Sequence, residues 1–410
     1  MAEESACVVL AEAADVRAVE AAISSLRIEP SSDAATRHVI EVVYDGEDLD
    51  DVARLTGIPR DQLIDLHAGG TYVVSFVGFL PGFAYLRGLD DRLVVERRAS
   101  PRPRVPARSV ALAGPYTGIY PSSSPGGWHL LGHAPSFDPR ATPLALGDEV
   151  SFAPRQAVDA PQPVLDAPDD AHDERGRTGD VEVVSVQGFA HVVGPVQHGR
   201  MHEGFAPGGP LVRAAFEEVG GGAALEVFGA VTLASGGRTT TVSSGRDRRV
   251  VYVGAPGGLA PIGPVKRGQR LATARGDGSL LVSRGTPSVR AAGEPTSIAI
   301  TIGPDPRPPA VLDAVLRASF RLSPSSNRVG SRLEGPSLPS VGHPRDAASR
   351  PMVKGAIEMT PSGLVVLGPD HPTTGGYPVV GVVRERALDD FFSLPVGSEL
   401  RFVAGQIDFP

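Results

Sequence analysis

The chain states the same short phrase twice, and that repetition limits what it can fold into. Ser124-Pro125-Gly126-Gly127-Trp128-His129-Leu130-Leu131-Gly132 is echoed by Thr373-Thr374-Gly375-Gly376-Tyr377-Pro378-Val379-Val380-Gly381. Each phrase is followed by a second matching one, Leu144-Ala145-Leu146-Gly147-Asp148-Glu149-Val150-Ser151-Phe152 and Leu394-Pro395-Val396-Gly397-Ser398-Glu399-Leu400-Arg401-Phe402. From Gly126 to Gly147 is 21 residues, and from Gly375 to Gly397 is 22. Two matched phrases at a matched interval imply two related lobes, and a function that uses the surface between or across them. At 410 residues the chain is also too long for one ordinary core.

Glycine (49) and proline (39) are abundant and spread along the chain, which implies many tight turns between short strands. The apolar periodicity predicts a helix over 15–26, a strand over 38–44, short helices over 48–55 and 58–67, and a strand over 71–77. Further strands are expected over 250–253 and 296–302, with a helix over 310–320. The fold class is mainly β with a few helices (α+β). Residues 1–154 form the first lobe and 181–410 the second. Residues 155–180, rich in Ala, Pro and Asp, read as a linker. A net charge of -8 argues against nucleic acid or a membrane surface as main partner. A single cysteine, Cys7, excludes an internal disulfide and a cysteine-based zinc site. No metal ligand set stands out, and no stretch reaches the length of a membrane span. Without a signal-peptide pattern, a cytoplasmic location is expected; a homo-oligomer is left open.

Five segments carry chemistry. Phe79-Leu80-Pro81-Gly82-Phe83-Ala84-Tyr85 reads either as a pocket wall for a planar ligand or as a turn with its rings in the core. Arg102 and Arg104, separated by Pro103, would share one face of an extended segment and could clamp an anion, or simply line a solvated edge. Gly126-Gly127 beside Trp128, and Gly375-Gly376 beside Tyr377 and Thr374, could present backbone amides to a carboxylate or oxyanion, or be plain tight turns. His129 is an acid–base candidate or a structural histidine. Ser326, Arg328 and Arg332 form a polar cluster suited to a small anion, or a self-solvating turn. There is no phosphate loop, dinucleotide fingerprint or nucleophile elbow.

Taken in order, Gly78-Phe79-Leu80-Pro81-Gly82-Phe83, Pro101-Arg102 with Val105-Pro106, Gly118-Ile119-Tyr120-Pro121 and Pro125-Gly126-Gly127-Trp128 resemble the first carboxyltransferase-type component of bacterial 5-oxoprolinase (allophanate hydrolase subunit 1). The second lobe resembles the companion subunit 2, over 326–333, Gly355-Ala356-Ile357 and 370–378. The resemblance implies two cyclophilin-like β-barrel lobes in tandem. It implies ATP-dependent opening of a small amide, 5-oxoproline, to glutamate, together with a separate lactam-utilisation-type subunit. ATP enters through the resemblance alone. Under that reading Arg102 and Arg104 hold an anion. Phe83, Tyr120, Trp128 and Tyr377 wall the pocket. Ser326, Arg328, Arg332 and Thr374 bind substrate, and His129, Glu358 and Asp370 are the proton-transfer candidates. The second lobe departs from the family pattern: the run from His191 to Gly199 lacks the family's acid and arginine, and Asn327, Ser331 and Glu358 replace an aspartate, a tyrosine and a glutamine. These departures keep two alternatives open. One is a non-catalytic binding protein like the histidine-kinase inhibitor relative. The other is a biotin-dependent urea carboxyltransferase component.

Overall fold

Side chains of the strand Arg37–Val42 alternate between two environments, with Ile40 and Val42 buried and Val39 exposed. That alternation is the signature of a sheet with one face on a core. In the computed structural model, which describes residues 16–25, 35–98, 102–156, 180–245, 248–274, 279–283, 295–303, 309–339 and 350–405, this strand opens a seven-stranded sheet. It pairs in parallel with Glu149–Pro154, the last strand of the lobe, and the sheet continues through Thr71–Val77, Ala84–Arg87, Tyr116–Ile119 and Ser109–Ala113 to His129–His133. Val43 and His133 exchange backbone hydrogen bonds of 2.9 Å in both directions, which brings the two edges of the sheet together. The result is a nearly closed barrel.

Helices Leu49–Thr56 and Arg60–Ala68 add Leu49, Val52 and Leu63 to the barrel interior. The first helix ends at Gly57 in the left-handed conformation, and Pro59 precedes the second. His67 is fully buried, stacked on Phe152 at 4.8 Å and hydrogen-bonded to Tyr44 and Thr117, each at 2.8 Å. Burial pushes its pKa down to about 3, so it is a neutral core residue.

A second barrel is closed outright: Thr296–Ile302, Val379–Val383, Ala356–Thr360, Gly363–Leu367, Gly330–Glu334, Phe320–Leu322 and Glu399–Ala404 return to the first strand. Here too the first and last strands pair in parallel. The two barrels match strand for strand in order and direction, the closing bridge of the first standing for the Thr296–Ile302/Val379–Val383 ladder of the second. Each also carries a short antiparallel ribbon on its outer side, Arg102–Val105 with Ser124–Gly126 and Arg350–Pro351 with Thr374–Gly375. The repeated phrase is therefore the ribbon and the strand after it.

Between the barrels lies a sheet with no counterpart in the first lobe, built on the long hairpin Val181–Val193 and Ala224–Ser235. Gly188 and Gly229 face each other in it with φ of 98° and 96°, where a side chain on either would strike the other strand's backbone. This sheet has its own core, and the residues 193–252 that flank it also join the second barrel's core. Most of the stretch expected as linker, 157–179, lies outside the described residues, as does 304–308 before helix Pro309–Arg317. Among the described residues no helix is long and apolar enough to cross a membrane.

Candidate functional site at the seam between the barrels

The outer face of the first barrel is a packed layer of rings. Phe83, Tyr85, Tyr120 and Trp128 are 1–4% exposed and meet edge to face, with Phe83 centroids 5.0–5.3 Å from the other three. Phe83, Tyr120 and Trp128, expected as pocket walls, thus pack on one another. Gly126 lies against Tyr120, where a side chain would collide with the phenol.

The ribbon arginines diverge because of a bulge between Arg102 and Val105. Arg102 turns inward and donates to Asp48 at 2.6 Å, while Arg104 is exposed. The expected two-arginine clamp on one face is therefore not formed. Asp48, almost fully buried, also accepts from Arg98 at 2.5 Å and from the Leu130 amide at 2.7 Å. Burial alone would raise its pKa, but the hydrogen bonds from Arg102 and Leu130 and the charges of both arginines outweigh it, so the carboxylate lies below its usual range. The Arg98 amide in turn donates to the Gly127 carbonyl at 2.8 Å. Asp48 thereby fixes the segment carrying Arg97 against the Gly126-Gly127 turn. His129 is buried; its Nε2 bonds the Glu96 carbonyl at 2.9 Å, its Nδ1 has no partner, and burial lowers its pKa.

The second barrel meets this face through its own ribbon. Thr374 Oγ1 lies 3.2 Å from the Tyr85 hydroxyl, and Gly78 sits against Thr374 so closely that a Cβ there would be 2.8 Å from its methyl. The neighbouring Thr373 hydroxyl is buried without a partner. Arg97 crosses the seam: a Cβ on Gly376 would fall 2.6 Å from its Nη1. On the other side of the same turn, a Cβ on Gly375 would fall 2.7 Å from Glu358 Oε1 and from Met352 Cε. Gly375-Gly376 is thus flanked by a guanidinium from one barrel and a carboxyl from the other. Burial raises the Glu358 pKa to about 7, the charge of Arg97 acting against it. Half-buried Tyr377 stands beside both, its pKa raised by burial and by the Glu358 charge and lowered by Arg97.

Arg328 and Asp370 come together, Arg328 buried and Asp370 partly exposed. Arg328 donates to both Asp370 oxygens at 2.7 and 2.8 Å, to Glu226 at 2.5 Å and to the Gly209 carbonyl at 2.8 Å. Glu226, fully buried, also accepts from Tyr252 at 2.6 Å and the Leu211 amide at 2.8 Å. Burial would lower the Arg328 pKa, and the two carboxylates reverse this, so the ion pairs hold. The network joins the middle sheet to the second barrel and uses both residues structurally. Ser326 accepts from the Arg332 amide at 3.0 Å, and the Arg332 side chain is exposed. Among the described residues no cluster of His, Cys, Asp and Glu has the arrangement of a metal site.

Sequence comparison meets this geometry at both barrels. Residues 2–146 match the family "Carboxyltransferase domain, subdomain C and D", and 249–404 match "Carboxyltransferase domain, subdomain A and B". The chain joins both carboxyltransferase-domain modules in one polypeptide. The first module is 44% identical over 126 residues to the B subunit of 5-oxoprolinase from Bacillus subtilis, covering 28% of this chain and 52% of that protein. The second is 34% identical over 92 residues to the C subunit of 5-oxoprolinase from Escherichia coli, covering 22% of this chain and 29% of that protein. The chain therefore spans about half the length of the first relative and less of the second. Across the whole tandem, the crystal structure of TTHA0988 superposes with a TM-score of 0.70 and 28% identity, covering 90% of this chain and 86% of that one. The tandem architecture is thus shared over nearly the full length.

Sequence reasoning missed Arg97 and Asp48. Arg97-Arg98 is a charge pair without periodicity, and Asp48 reads as an ordinary residue before a helix. One signal was available. Arg350-Pro351-Met352-Val353 repeats Arg102-Pro103-Arg104-Val105, and the pairs Arg102–Gly126 and Arg350–Gly375 are 24 and 25 residues apart. That third echo identifies two equivalent ribbons and turns attention to the residues just before the first.

Proposed function

We propose that the chain is the fused B- and C-type component of an ATP-dependent amide hydrolase resembling 5-oxoprolinase, opening 5-oxoproline to glutamate with a separate lactam-utilisation-type subunit. The observation that carries this reading is the meeting of the modules around a single turn. The B-like module supplies Arg97, and the C-like module supplies Glu358 and Gly375-Gly376. A guanidinium suits a carboxylate, backbone amides at a glycine turn suit a developing oxyanion, and a carboxyl that titrates near neutrality suits proton transfer to a leaving nitrogen.

The described residues do not fit a triphosphate. Neither pair of glycines stands ahead of a helix, the arrangement that cradles phosphates. The ATP site accordingly belongs, in this reading, to the separate partner. A binding protein without turnover is the second reading, favoured by the mutual engagement of Arg328 and Asp370, which ties two candidate residues to each other.

The test is to combine the purified chain with a lactam-utilisation-type partner, ATP and 5-oxoproline, and to assay glutamate and ADP. Glutamate that requires ATP and both proteins supports the hydrolase. No turnover, with the same partner active beside a standard pair of separate B- and C-type proteins, replaces it with the binding protein.

A further inference from the structure

We propose that the middle sheet carries a ligand site of its own for a small phosphate monoester, with Arg248 and several hydroxyls on the phosphate and a valine wall against the ester group. The site is independent of the reaction proposed above, because none of the residues that line it belongs to the seam.

Its position follows from how the edge of the sheet is built. The strand Ala224–Ser235 is flanked on one side by two strands in succession: Arg238–Ser243 pairs with its residues 230–235, and Val251–Gly254 with its residues 225–227. Both run antiparallel to it, so they lie end to end, and between them the chain leaves the sheet. Leu281–Val282 adds one further strand beside Val253 and Gly254, whereas no described strand pairs with the outer edge of Arg238–Ser243. The edge is therefore stepped. At the step lies a cavity of about 350 Å³, within the range of small-molecule pockets.

The cavity has two kinds of wall. Val242 and Val251, 6% and 3% exposed, make an apolar floor, with the exposed Val282 at the rim. Thr240, Thr241, Ser243 and Ser283 make a wall of hydroxyls. Ser283 is 4% exposed, and its Oγ accepts from the Tyr252 amide at 2.9 Å, while Ser243 Oγ accepts from the Gly245 amide at 3.2 Å. Each of these hydroxyls still has a proton to donate. The adjacent arginines diverge: Arg249 is buried and donates to Ser331 of the second barrel at 2.8 Å, and half-buried Arg248 lines the cavity. Among the described residues no Asp or Glu lines it. A guanidinium with several hydroxyl donors and no carboxylate selects an anion. A phosphate monoester offers three acceptor oxygens against the two of a carboxylate, which suits that many donors. Inorganic phosphate would leave the valine floor bare, and an ester group would cover it.

Calorimetric titration of the full chain with inorganic phosphate, n-butyl phosphate and n-butanol tests this. One butyl phosphate should bind per chain, about 3- to 10-fold more tightly than inorganic phosphate, from partial burial of the butyl group, and butanol should not bind. Arg248→Ala should weaken both phosphates about 10- to 100-fold, as loss of a charge-assisted contact does, and Arg248→Lys less. Val282→Ser should shrink the preference for the butyl ester and leave inorganic phosphate unchanged. Arg238→Ala, exposed on the same strand but outside the lining, separates a built site from general positive charge. Each altered side chain is at least partly exposed, so the variants should fold, and melting without ligand checks this. The proposal is overturned if neither phosphate binds, if the two bind equally, if Arg248→Ala leaves binding unchanged, or if Arg238→Ala costs as much as Arg248→Ala.

Discussion

Glu358 concentrates the chemistry of this molecule in one titration. Its carboxyl is most stable protonated in the folded chain, with a pKa of about 7 against 4.5 for an ordinary glutamate. Below pH 4.5 the folded and unfolded states both hold the proton. Between 4.5 and about 7 the folded state keeps a proton that the unfolded state releases, so stability falls as pH rises, and above 7 the penalty is constant. Glu358→Gln removes this dependence. At pH 8 the variant should be more stable than the parent by about 2 kcal/mol, after discounting the shift because the residue is not completely buried, and the difference should vanish near pH 4.5. Urea denaturation at the two pH values measures it. A pH-independent difference would mean that the carboxyl is ordinary. The residue types around it were legible in the sequence because the Gly-Gly-aromatic phrase is repeated. The charge facing it was not, since nothing in Arg97-Arg98 signals which neighbour an arginine will reach across a domain boundary.

At the level of elements, the strands were readable and their closure was not. Alternation places strands near 38–44, 71–77 and 296–302, and the structure has Arg37–Val42, Thr71–Val77 and Thr296–Ile302. Periodicity is a local property, whereas closure depends on the match of Val43 with His133, ninety residues on. Gly132 is the residue that permits it: a side chain there would drive into the Val43 carbonyl. Gly132→Ala should open the first barrel at that bridge and cost about 2–4 kcal/mol, as overpacking against backbone does. Hydrogen exchange should locate the loss at Val43 and His133, whose amides exchange hydrogen bonds across the gap. An undisturbed bridge in the variant would show that the edge strands can move apart without loss. The ribbon arginines show the opposite limit of local reasoning. An extended segment alternates faces, but one bulge sent Arg102 inward and left Arg104 outside.

In the whole molecule, several polar contacts tie the middle segment to the second barrel, among them Lys354 on the Pro210 and Leu211 carbonyls and Arg249 on Ser331, and the heaviest is Arg328 between Glu226 and Asp370. Glu226→Ala would leave a buried guanidinium half-paired and the Tyr252 hydroxyl and Leu211 amide without their acceptor. A loss of about 3–5 kcal/mol is expected, read as a lower melting temperature with the middle sheet separating from the second barrel. A change below about 1 kcal/mol would mean that the apolar core shared by residues 193–252 and the second barrel carries the joint alone. The two lobes are visible in the sequence because they repeat; the middle sheet, which repeats nothing, was merged into the second.

The parallel pairing of first and last strands in each barrel also bears on how the chain is made. Arg37–Val42 cannot find its partner until Glu149–Pro154 has left the ribosome, and Thr296–Ile302 must wait for Glu399–Ala404. Each barrel is therefore a contact of long sequence separation that forms last, and its unpaired edges stay available to wrong partners during synthesis. Because the first barrel is complete about 250 residues before the second, it can close alone and present a finished ring-covered face. The later barrel, whose strands share its order, then meets a folded template instead of an open twin with which it could exchange strands.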